Sequence, residues 1–168
     1  MASKNITDQF AYFMCEELKN SLKEKLKWEL RGPKSWNVGS QSSDITGYAL
    51  KTNEPLVLIE IERRRDAPVS NVAKVWSWIT DLEQEKKEKL QTRPILIQAF
   101  SAHYSEDSSR RKHAKLIGTQ MKKAKVAEYI CLCFPYDPRE KAKRCAGACQ
   151  RQAKDLAGQV VESLSGRL

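Results

Sequence analysis

Apolar positions recur along this chain with two periods, and the switches between them outline its elements. Over residues 7–30, Phe10, Phe13, Met14, Leu18 and Leu22 keep the spacing of one helical face. Thr7 or Asp8 can cap its start, and Gly32-Pro33 can stop it. Strand-like runs follow at 35–40 and 44–51, and the turn signal Thr52-Asn53-Glu54-Pro55 leads into a third at 56–63. The helical period returns over 68–90, where Pro68 suits a first turn and Val72, Val75, Trp76, Ile79 and Leu82 form the face to be buried. The tail of that helix, 83–89, is a solvated charge run. A strand at 94–100, a helix at 109–125 capped by Ser108 or Ser109, a strand at 128–134 and a helix at 138–164 complete the chain. A hairpin-rich start followed by alternating elements predicts an α/β fold: a mixed central sheet with helices on both faces. One domain over 1–168 is expected, with its core at about 7–134 and a C-terminal helix at about 138–164.

Within the run Leu56-Val57-Leu58-Ile59-Glu60-Ile61-Glu62, alternation sends Glu60 and Glu62 to the side of Leu56 and Leu58, and Val57, Ile59 and Ile61 to the other. Apolar residues on both sides predict a central strand, where an acidic pair needs a reason. Folding the hairpin about Asn53 sets Asp44 opposite Glu62 and Thr46 opposite Glu60, roughly 5 Å apart. Three acids would then converge on one patch. Like charges repel unless a cation lies among them, and such oxygen clusters suit Mg²⁺ or Mn²⁺. Glu17 falls between Phe10 and Phe13 on the inward face of the first helix, whereas Glu16 points away.

Charge extends this picture. The net charge of +9 and pI near 9.4 point to a polyanionic partner, nucleic acid above all. On the helix at 109–125, Arg111, Lys112, Lys115, Lys122 and Lys123 share the side opposite Ala114, Ile117 and Met121, a stripe suited to a phosphate backbone. Arg63 and Arg64 follow the acidic strand and could grip a phosphate. Trp78 lies off the expected core face of its helix. No apolar run approaches the ~20 residues of a membrane span, and no basic segment precedes an apolar one at the N-terminus, which predicts a soluble, cytoplasmic protein. Among five cysteines, Cys131 and Cys133 share a strand face, and Cys145 and Cys149 a helix face. Their C-x-C and C-x3-C spacing departs from common zinc patterns, so reduced, mostly packed thiols are expected.

Asp44, Glu60 and Glu62 on successive strands, behind an acidic helix and ahead of a linking one, make the chain resemble the PD-(D/E)XK nuclease superfamily. The resemblance covers about 7–134. It implies a restriction-endonuclease-like αβββαβ core and a Mg²⁺-dependent DNA endonuclease, with Mn²⁺ able to substitute. Asp44 and Glu60, helped by the Ile61 carbonyl, would hold metal. Glu62 occupies the position usually held by lysine, where it would bind a second metal or orient the attacking water; Glu17 would support the metal shell through water. In some relatives the lysine has moved to the next helix, and Lys74 is the candidate there, although the helical wheel turns it away from the Val72, Val75, Trp76 and Ile79 face. Double-strand cleavage by such enzymes implies a homodimer. The alternatives are a silent nucleic-acid-binding module of the same fold, or a nuclease subunit of a larger repair or defence complex.

Overall fold

The computed structural model describes residues 6–32, 42–86, 92–135 and 146–168. Its elements are α1 (Ile6–Leu22), β1 (Leu26–Leu30), β2 (Ile45–Ala49), β3 (Pro55–Glu62), α2 (Pro68–Lys86), β4 (Ile95–Ser101), α3 (Ser109–Lys123), β5 (Glu128–Phe134) and α4 (Ala146–Leu164). The strands form one sheet in the order β1-β2-β3-β4-β5. β2 runs antiparallel to its neighbours β1 and β3, while β3, β4 and β5 run parallel. This is the expected α/β architecture: a five-stranded mixed sheet between two helical layers.

The first helix is shorter than its apolar period suggests. It ends at Leu22, a turn follows in which Lys25 N–H donates to the Leu22 carbonyl, and residues 26–30 form the edge strand β1. In a helix Leu26 and Trp28 would project to nearly opposite sides. On a strand they share a face, and both are buried against α1. Burying a large apolar side chain contributes about 1.5–3 kcal/mol, more than helix propensity does, so burial decides. The strand expected at 35–40 and the helix start expected at 138 lie outside the described residues.

Each face of the sheet carries its own core. Val57, Ile59, Ile61, Ile97 and Ala99 pack under α1 and α4, with Phe10 stacked on Phe134 at 5.2 Å between ring centroids. Leu58, Leu96 and Phe100 pack under α2 and α3. The central strand is therefore covered on both sides, and its even-numbered residues point toward α2.

Two details of register position the acids. The β2–β3 hairpin pairs Ile45 with Ile59 and Thr46 with Leu58, two residues away from the expected alignment. The turn is centred ahead of Asn53, which is its last residue in the left-handed region (φ 55°), and the register slips at a bulge between Gly47 and Tyr48. A shift of two keeps every side chain on its face, but it brings Asp44 level with Glu60 instead of Glu62. The α2 helix is also rotated about its axis relative to expectation. Trp78 is buried and Trp76 only partly so, which turns Asn71 and Lys74 toward the sheet.

Candidate active site

The site sits where β3 ends beneath the first turns of α2. Asp44 lies just before β2; its Oδ2 accepts the Ile61 N–H at 2.8 Å, extending the β2–β3 ladder by one side-chain bond, and its Oδ1 accepts from Arg63 at 2.9 Å. Arg63 also pairs with Asp66, whose Oδ2 accepts the Arg63 N–H at 2.7 Å and its Nε at 3.3 Å. Burial by itself would lower the Arg63 pKa, but the charges of Asp44 and Asp66 raise it. The knot of Asp44, Arg63 and Asp66 fixes the β3–α2 turn, where Arg65 has a φ of 76°.

Above this turn, Asn71 and Lys74 stand three residues apart on one helix face. Lys74 Nζ lies 2.8 Å from Glu60 Oε1, 3.2 Å from the Ser42 carbonyl and 3.4 Å from Asn71 Oδ1. Its ammonium also lies over the Trp78 ring, 5.2 Å from the centroid. The buried Glu60 Oε1 thus has the Lys74 ammonium as its counter-charge. Burial pushes the Glu60 carboxyl well above its ordinary range; Lys74 opposes this, while Asp44 and Glu62 add to it.

Glu62 is fully buried and faces a different set of partners. Asn71 Nδ2 donates to both of its oxygens at 3.1 Å, and Gln98 Nε2 donates to Oε1. Gln98 Nε2 also donates to the Pro68 carbonyl at 2.8 Å, and Tyr129 Oη donates to Gln98 Oε1 at 2.8 Å. Burial pushes the Glu62 carboxyl up to about 7 despite the Gln98 and Asn71 hydrogen bonds, with Asp66 and Asp44 adding like charge.

The expected three-acid patch is thus replaced by a pair, Asp44 with Glu60, and a separately held Glu62. Among the described residues no three His, Cys, Asp or Glu side chains gather as a metal cage. Mg²⁺, however, is usually held by one or two carboxylates, with water and substrate oxygens completing its shell. Asp44 and Glu60, level with each other across β2 and β3, would supply two such carboxylates in exchange for the Arg63 bond at Asp44 Oδ1 and the Lys74 contact at Glu60 Oε1; Glu62 is held apart by Asn71 and Gln98.

Other expected site residues fall elsewhere. Glu17 lies on α1, across the sheet from Glu60, and its nearest cation is Lys154 of α4 at 3.8 Å; it belongs to the helix interface, not the acid site. Lys74, expected to point outward, is drawn in by the rotation of α2. Arg63 is committed to two carboxylates and offers no exposed phosphate grip, whereas Arg64 is exposed. Arg111 is buried over Phe100 instead of joining the basic stripe. Lys112 pairs with Asp107 and Lys122 with Glu128, while Lys115 and Lys123 lie exposed. Cys131 packs in the α2–α3 core and Cys149 in the α1–α4 core, so the sheet separates them; Cys145 lies outside the described residues.

Gln98 and Tyr129 were not foreseen as part of the site. A signal for Gln98 existed, since it is the one polar residue in the run Ile95-Leu96-Ile97-Gln98-Ala99-Phe100, and it pairs with Glu60 across β3 and β4. Tyr129 has no comparable signal, because its role depends on β5 lying next to β4. Among the described residues no helix is long and apolar enough to cross a membrane. Comparison of the chain with family models, curated proteins and solved structures gives no match.

Proposed function

We propose that this protein is a Mg²⁺-dependent endonuclease hydrolysing DNA phosphodiester bonds, a restriction-endonuclease-like variant in which Lys74 supplies the lysine that the strand motif lacks. The observation that carries this reading is the ammonium of Lys74 at 2.8 Å from a buried Glu60, with Asp44 close enough to raise the Glu60 pKa. Two carboxylates and one lysine at a strand end are the groups that phosphodiester hydrolysis needs: anionic oxygens to hold a cation, and a donor to steady a phosphate oxygen or a nucleophile.

Asp44, Glu60 and the Ile61 carbonyl are the residues that would hold Mg²⁺, and Mn²⁺ would serve in its place. When bound, the metal would neutralise phosphate charge and supply a water acidic enough to react near neutral pH. Lys74 orients its donors within the same small space, steadied by Asn71 and the Ser42 carbonyl. Glu62 acts as a positioning residue: it holds Asn71, and through Asn71 it holds Lys74. The net charge of +9 supplies the long-range attraction for a nucleic-acid substrate.

One observation favours a second reading, the silent nucleic-acid-binding module. The Lys74–Glu60 contact already neutralises the acid that a metal would otherwise relieve. Plasmid nicking separates the two. Wild type with Mg²⁺ or Mn²⁺ should convert supercoiled DNA to open circles, and Glu60→Gln or Lys74→Met should slow this at least 100-fold while still binding DNA. A wild type that binds DNA but never nicks it is the silent module.

A further inference from the structure

We infer that a second anion site, for a backbone phosphate of the nucleic-acid strand, lies at the carboxyl ends of β4 and β5 around Arg111. This rests on the nucleic-acid reading above but not on catalysis. The topology creates the site. From β4 the chain passes to α3 on one face of the sheet, whereas the chain beyond β5 reaches α4 on the other. Adjacent parallel strands whose connections leave to opposite faces open a crevice at their carboxyl ends, the usual ligand position in open α/β sheets. Here it is a cavity of about 500 Å³, lined among others by Ser101, Tyr104, Arg111 and Cys133.

Arg111 is 7% exposed. Its guanidinium carries five donors, yet its partners are neutral or remote. Nη1 donates to the Tyr104 carbonyl at 3.2 Å, the face lies over the Phe100 ring at 5.6 Å, and the Cys131 thiol is a weak acceptor. The nearest carboxylate, Glu106, stays 3.7 Å away on a side chain that is 91% exposed, and so can swing aside at little cost. Buried charges are ordinarily paired, and this one is not closely paired. Ser101, 1% exposed, also lines the cavity, and its hydroxyl has no partner among the described residues. A buried planar fork and an orphan hydroxyl beside one cavity suit a phosphate, which guanidinium binds in bidentate fashion.

Tyr104 ties this crevice to the acid site, because its hydroxyl donates to the Asp66 carbonyl at 2.8 Å while its own carbonyl accepts from Arg111. β3 and β5 are two strands apart, about 10 Å at the usual strand spacing, or roughly three nucleotides of stacked strand at 3.4 Å each. A strand whose phosphate lies at Asp44 and Glu60 would thus bring a phosphate about three nucleotides along to Arg111.

The test measures binding of a short single-stranded oligonucleotide in EDTA, where no cleavage occurs, for wild type, Arg111→Gln, Arg111→Lys, Ser101→Ala and, as a control, Lys154→Gln. A 5′-phosphorylated and a 5′-hydroxyl oligonucleotide distinguish a terminal from an internal phosphate, and inorganic phosphate tests the free anion. Arg111→Gln should weaken oligonucleotide binding at least tenfold, Arg111→Lys and Ser101→Ala about threefold, and Lys154→Gln, the loss of one exposed charge on α4, should leave it unchanged. Should Arg111→Gln fail to fold, the lysine and Ser101→Ala variants still decide the matter. Wild-type affinity in all three crevice variants, or a wild type that binds no oligonucleotide, overturns the proposal. Arg111-dependent binding by a protein that cleaves nothing upholds the site and removes the endonuclease reading alone.

Discussion

Two buried carboxylates two residues apart behave differently because their partners differ. Glu60 has a charge partner and Glu62 has dipoles. Lys74→Met would leave Glu60 buried without its counter-charge, a change that typically costs about 3–5 kcal/mol. The loss should be larger at pH 8 than at pH 5.5, because an unpaired buried Glu60 is relieved by taking up a proton. Replacing both residues, Glu60→Gln with Lys74→Met, should recover most of the lost stability, and urea denaturation of the four proteins in the cycle measures the coupling. Glu62 governs a second pH dependence. Its folded pKa of about 7 lies above the ordinary 4.5, so the folded state holds this proton more tightly than the unfolded one. Stability from this group is complete below about pH 4.5 and is lost as pH rises through 7, by on the order of 3 kcal/mol in metal-free protein. Glu62→Gln should flatten that part of the pH–stability profile; an unchanged slope would assign the effect to another group.

Contacts between elements hold the network in register. Gly118 on α3 faces Tyr129 on β5 so closely that a Cβ there would lie 2.5 Å from the ring. Tyr129 in turn sets the Gln98 amide that holds Glu62. Alanine at 118 would improve helix propensity by about 1 kcal/mol, but overpacking costs about 1–3 kcal/mol. Gly118→Ala should therefore lower Tm by a few degrees and, under the proposed function, slow nicking by displacing Gln98. A raised Tm would mean that the ring moves freely. Trp28 over Gly47 shows the same economy on the other face, where a Cβ would meet the indole at 2.9 Å.

Across the whole molecule the excess of positive charge is unevenly available. Arg63 is spent on Asp44 and Asp66, and Lys122 on Glu128, whereas Lys115 and Lys123 are exposed on α3. If α3 tracks a backbone, Lys115→Gln combined with Lys123→Gln should weaken DNA binding evenly across sequences. The slope of log Kd against log salt should fall by about two. Unchanged affinity and slope would return this face to solvation. Such contacts steer and position a strand without reading its bases.

Periodicity alone determined the order of elements from α2 onward, the doubly covered β3 and the side of it on which Glu60 and Glu62 stand, because 3.6-residue and two-residue repeats are local consequences of backbone geometry. The same local rule misjudged residues 23–30, where a helical repeat and a strand repeat overlap and only the place under α1 for Leu26 and Trp28 decides. Tertiary structure alone settled the hairpin register that moved Asp44 to Glu60, the rotation of α2 that buried Trp78 and brought Lys74 inward, and the strand neighbours that joined Gln98 and Tyr129 to Glu62. Each of these depends on how one element lies against another, by one or two residues of slide or a part-turn of a helix. Packing of both cores sets those small displacements, and no stretch of sequence encodes them by itself.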